Sequence, residues 1–174
     1  MNKHWARWIF ASVSKHFNTK IFTDNSLFLF IEGMDRDSAG ATSADGGKVI
    51  STADLKDFAE FRSDGPQIQK QGPRDFEINI AVNILIKSTM DTDIHKIHKY
   101  VGIVESAFTD CLEVKRYGDP AESAENDGST LGYLQLRTDS TERIRTNHFG
   151  QIREDLKVLQ STVEGHYRMF LRGD

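Results

Sequence analysis

Few residues in this chain have types and spacings that could do chemistry. His95 and His98 stand three apart, which puts both imidazoles on one face of a helix, where they could share a metal ion. Two further ligands are not evident nearby, and Lys96 and Lys99 would repel a cation, so solvated surface histidines are the simpler reading. Asp75 and Glu77 share one face of a strand, the arrangement a metal-dependent nuclease uses. The next residue on that face is Asn79, where such a site would carry a lysine, so the two acids read more simply as the solvent side of the strand. No serine sits in the glycine-flanked turn that a nucleophilic hydrolase needs. Gly46-Gly47-Lys48 lacks the spacing of a phosphate loop. The lone cysteine, Cys111, excludes an internal disulfide and is expected to lie inert on an apolar helical stripe. The residues therefore predict no catalytic, cofactor-binding or metal-binding site.

Charge narrows the partners. Asp119, Glu122, Glu125 and Asp127 fall in a stretch without lysine or arginine, and these four carboxylates match the whole net charge of −4. The remainder is close to neutral, which disfavours binding nucleic acid through a basic surface. No run approaches the roughly 18 apolar residues of a membrane span, and the N-terminus makes a poor signal peptide. The expectation is a soluble, cytoplasmic protein.

The elements that would hold these residues are better specified. From Asp75 to Lys87, Phe76, Ile78, Ile80, Val82, Ile84 and Ile86 fall on one face and Asp75, Glu77, Asn79, Asn83 and Lys87 on the other, the pattern of a long half-buried strand. Its polar face implies solvent, a lumen or a partner. Before it, Trp5, Trp8, Ile9, Val13 and Phe17 recur at threes and fours as an amphipathic helix. The tryptophans would dock that helix on the sheet; the sharper reading packs Trp5 and Trp8 on a neighbouring subunit. Ser26–Glu32 reads as a short strand buried on both faces, and Leu55, Phe58 and Phe61 as a short helical turn. Gly65-Pro66 and Gly72-Pro73 punctuate the entry to the long strand.

After the long strand, Ile94, Ile97, Val101, Val104, Phe108 and Cys111 predict a helix over Ile94–Leu112, capped by Asp91 or Thr92. Gly102 within it suggests close approach of another element. Leu131–Arg137 reads as a strand with Thr141–His148 as its partner, and the chain closes on a strand with Gly165 as a bulge or bend. Together these predict one α+β domain over 1–174. It would have a mostly antiparallel sheet and a long central strand, packed by an N-terminal and a central helix. Polar loops are expected at 33–48 and 118–130.

The strand-to-helix join from Asn83 to Phe108 and the closing Val163-Glu164-Gly165-His166-Tyr167-Arg168 strand, with the order of elements, resemble the tail terminator and minor tail (neck) proteins of long-tailed bacteriophages. That resemblance covers about half the chain and includes no catalytic motif. It implies a structural virion protein, not an enzyme, that assembles in the host cytoplasm. It would form a ring, usually a hexamer, at the head-proximal end of the tail. The ring would stop tube polymerisation and join tail to head. The implied partners are copies of itself, the tail tube protein and the head-side connector. DNA would pass through without specific binding, and no membrane is involved. Asp35, Arg36, Asp37 and Asp45 on the first polar loop are candidate interface residues. Asp119, Glu122, Glu125 and Asp127 are candidates to face the DNA. Two other readings remain: a small metal-dependent enzyme or nuclease using the surface carboxylates or histidines, and a non-viral protein-binding adaptor.

Overall fold

The computed structural model describes residues 4–31, 57–89, 95–117, 128–137, 144–151 and 158–172. The candidate residues Asp35, Arg36, Asp37, Asp45, Asp119, Glu122, Glu125 and Asp127, and the expected caps at 91 and 92, lie outside them.

Helix α1 (Trp5–Asn18) follows the predicted stripe and runs into a π-helical turn over Thr19–Thr23. Strand β1 (Leu29–Ile31) is short; β2 (Asp57–Lys70) and β3 (Asp75–Thr89) form a long hairpin. Helix α2 (His95–Ala107) comes next, then β4 (Cys111–Lys115), β5 (Thr130–Leu136), β6 (Ile144–Gln151) and β7 (Val158–Arg172). The seven strands form one sheet in the order β1-β2-β3-β7-β5-β4, with β6 also paired to β7. Every pairing is antiparallel except β1 with β2. The fold is α+β with a mostly antiparallel sheet, as the pattern of elements predicts.

One face of the sheet is dry. Ile78, Ile80, Val82, Ile84 and Ile86 of β3 are at most 2% exposed, and Phe61, Val163, Tyr167 and Met169 join them from the neighbouring strands. Side chains of this kind contribute about 1.5–3 kcal/mol each on burial. Both helices lie on this face. Phe17 of α1 packs edge-on to Phe108, at the end of α2, with ring centroids 4.8 Å apart. His16 ties the same two elements together through Nε2 and the Ala107 carbonyl at 2.9 Å. Burial lowers the His16 pKa, and the backbone bond only partly opposes that shift.

Several expectations are corrected. Phe58 and Phe61, read as part of a short helical turn, lie on β2, and Gly65-Pro66 lies inside that strand instead of ending it; Leu55 lies outside the described residues. Between Asp64↔Ala81 and Gln67↔Asn79 the ladder slips by one residue, a bulge at which Gly65 takes φ +107°. A side chain on Gly65 would meet Asn79 O and Gln67 N at 2.9 Å, so glycine is required there. The second helix stops at Ala107, and Cys111 begins β4, where it is exposed. Phe108 and Cys111 fit a helical spacing, but Leu112 and Val114 alternate, and only those two turn inward on β4.

Gly165 is no bulge, because the β3–β7 register runs unbroken through Val82↔Gly165. Gly102 meets no neighbour among the described residues: a Cβ there would find none of them within 4 Å. The segment expected to pair with Leu131–Arg137 becomes β6 and pairs with β7.

Candidate functional site

The other face of the sheet carries the polar half of each long strand, in rows set by the register. Arg62, Asn83, Glu164 and Arg145 are in line across β2, β3, β7 and β6. Asp64, Ala81 and His166 form the next row, then Gln67 (past the bulge), Asn79, Arg168 and Gln135. Ala81 is the smallest side chain of the β3 members, and two shallow hollows of about 330 and 410 Å³ meet around it. Asp64 and His166 border both. Glu164 holds the His166 ring, with Nε2 3.1 Å from Oε1. Asn79 Oδ1 is buried here with no hydrogen-bond partner among the described residues, whereas its amide donates to Glu77. At the far end of the face Tyr133 and Phe170 are 54% and 64% exposed, unusual values for aromatic side chains on strands.

Glu77 accepts hydrogen bonds from Gln71 (2.6 Å) and Asn79 (3.2 Å), while the Asp75 carbonyl closes the hairpin turn to Gln71 N–H. Among the described residues no three histidine, cysteine or acidic side chains group as a metal site. His98 does acquire a neighbour that helical spacing cannot reveal: the His148 ring of β6, 5.3 Å away between centroids. Trp5 and Trp8 are 6% and 1% exposed in the single chain; Trp5 packs edge-on to Phe76, and Trp8 lies against His4. The tryptophans dock α1 on its own sheet and have little surface left to offer a neighbouring subunit.

One polar cluster lies on the core side, where three elements meet. Asp57 at the start of β2 accepts hydrogen bonds from Ser88 of β3 (2.6 Å) and from Lys96 and Tyr100 (3.2 Å) of α2. Burial alone would raise the Asp57 pKa, but these donors and the Lys96 charge outweigh it and hold the carboxyl below its ordinary value. The cluster fastens α2 to the hairpin.

The strand edges differ sharply. At the β4 edge, Lys115 N–H donates to Ser12 Oγ (2.9 Å), whose hydroxyl lies 3.3 Å from the Lys115 carbonyl. Thr109 Oγ1 donates to the Cys111 carbonyl at 3.0 Å. Side chains thus occupy the Lys115 amide and the Cys111 and Lys115 carbonyls of that edge. At the opposite side β1 covers only Ala59–Phe61 of β2. Among the described residues no strand pairs with the outer edge of 62–70, nor with the outer edge of β6. The β2 bulge, Pro66 and the charges of Arg62, Asp64 and Lys70 guard the open stretch against indiscriminate pairing.

No family model matches the chain, and no curated protein matches it. No helix among the described residues is long and apolar enough to cross a membrane.

Proposed function

We propose that this chain is a structural, non-enzymatic ring subunit of the tail terminator or neck class of long-tailed bacteriophages. The observation that carries the ring reading is a pair of strand edges on opposite sides of one sheet, 62–70 of β2 and the outer edge of β6, with which no strand among the described residues pairs. An edge of one copy that meets a different edge of the next gives a heterologous contact, and such contacts form a ring when the rotation between copies closes. Unpaired strand edges are a liability that isolated proteins cover, so two long open ones favour a chain that is covered by neighbours. The buried Asn79 acceptor and the exposed Tyr133 and Phe170 on the polar face support the same reading, since a partner could satisfy the first and cover the others. The phage assignment within that reading rests on the resemblance in element order and in the two segments quoted above. The subunit would cap the tail tube, meet the head-side connector, and leave a lumen for DNA.

The test is mass in solution with negative-stain images, alone and mixed with tail tubes, and amide exchange at 62–70 and 144–151. The reading expects closed rings whose subunit count the images give, binding at tube ends, and slowed exchange at both edges on assembly. A monomer at all concentrations that ignores tubes sinks it. Rings that form while both edges exchange as in the free chain keep the oligomer but remove the edge contact.

A further inference from the structure

The pair formed by His98 and His148 is the strongest feature that the ring reading leaves unused. The two histidines come from different elements, α2 and β6, and both rings are exposed at the surface. Their centroids are 5.3 Å apart and their planes cross at 58°. Two imidazoles bound to one zinc ion at about 2.0–2.1 Å, in tetrahedral disposition, place their centroids about 5 Å apart. The separation accommodates two ligands on one ion. A face-to-face stack would instead bring the planes near parallel.

The His148 ring is also oriented by a further contact. Its Nδ1 lies 2.9 Å from Ser161 Oγ. With the Nδ1 proton given to that hydroxyl, Nε2 keeps its lone pair for a metal, the arrangement by which an outer hydrogen bond sets the tautomer of a ligating histidine. Neighbouring charges are accounted for. Lys96 is engaged with Asp57, and Glu105 accepts a hydrogen bond from Thr146 Oγ1 at 2.6 Å. Lys99 follows His98 on the helix, and Arg145 belongs to the opposite face of β6.

We propose that His98 and His148 form a two-histidine site for a divalent transition metal of the zinc class, with water completing the coordination. Imidazole ligands select zinc, nickel, cobalt or copper over magnesium and calcium. The bound ion would clip β6 to α2. Among the described residues β6 has only β7 as a strand partner, so the clip would hold one of the two open edges in place. The site does not depend on the ring reading.

The experiment uses the full chain, free of any affinity tag, titrated calorimetrically with zinc chloride and followed by thermal melting, with cobalt absorption to report coordination. The proposal expects one equivalent bound, a metal-dependent rise in the unfolding midpoint, and no response to magnesium. His98→Gln and His148→Gln should each weaken binding at least tenfold; His95→Gln should bind as the parent does. Metal-free melting of each variant checks its fold, and glutamine at 148 keeps a polar group able to reach Ser161. Two results overturn the proposal: no zinc binding at millimolar concentration, or binding that His148→Gln leaves unchanged. The latter would move the metal to the His95–His98 helical pair or elsewhere.

Discussion

Phe108 and Gly165 share a single space. A Cβ on Gly165 would lie 2.6 Å from Phe108 Cδ1 and 2.7 Å from Cε1, so the ring rests directly on the β7 backbone. The same ring contacts Phe17 of α1 and lies parallel to Tyr167, 6.3 Å away between centroids. One aromatic residue at the end of α2 thereby joins both helices to the middle of the longest ladder.

Gly165→Ala should therefore destabilise the protein by about 1–3 kcal/mol, the usual cost of overpacking a filled core. Phe108→Leu removes the obstructing ring edge, so the double variant should lose less than the two single losses added together. Urea melts of the four proteins measure the coupling. Strict additivity would show that the two residues do not compete for this space.

Gly102 should behave in the opposite way. It lies mid-helix in α2, is exposed, and would gain no clash with a side chain. Gly102→Ala should stabilise by about 0.5–1 kcal/mol, because alanine restricts the unfolded chain and favours the helix. A lower unfolding midpoint for this variant would mean that a partner approaches the helix there.

The Asp57 cluster predicts an acid limb of stability. Its carboxyl pKa is depressed in the folded state, so the contribution is complete above the unfolded value, about 3.9. It is lost as pH falls from there through the folded value. Lys96→Met removes the cation but leaves the carboxylate half-buried and should cost on the order of 1 kcal/mol at neutral pH. The gap between parent and variant should hold down to about pH 5 and close below about pH 4 as the carboxyl protonates. A gap independent of pH would assign the loss to packing of the lysine stem instead of to its charge.

How much was legible in the sequence depended on the range over which each signal acts. The thirteen residues Asp75–Lys87 determined a half-buried strand by themselves, because a period of two, broken only by Ala81 and Leu85, puts Ile78, Ile80, Val82, Ile84 and Ile86 on one face. The tryptophan stripe of α1 and most of α2 were equally plain, since those side chains must share one face. Local signals misled where one residue served two ends. Gly65-Pro66 carries the chemistry of a strand end, and only pairing with β3 on both sides shows it to be a bulge. Cys111 fitted the helical stripe, yet Leu112 and Val114 take their burial from β5 and α1, so the strand wins.

The polar surface was the least legible part, because nothing in a one-dimensional pattern says which side chains meet. His148 lies fifty residues from His98 and reaches it only because β6 pairs with β7 beneath α2. The need for glycine at 165 is likewise invisible along the strand; it arises from a ring delivered by a different element. Alternation and helical spacing determined the layers. Contacts across the layers, which depend on strand order and register, were decided by the tertiary structure alone.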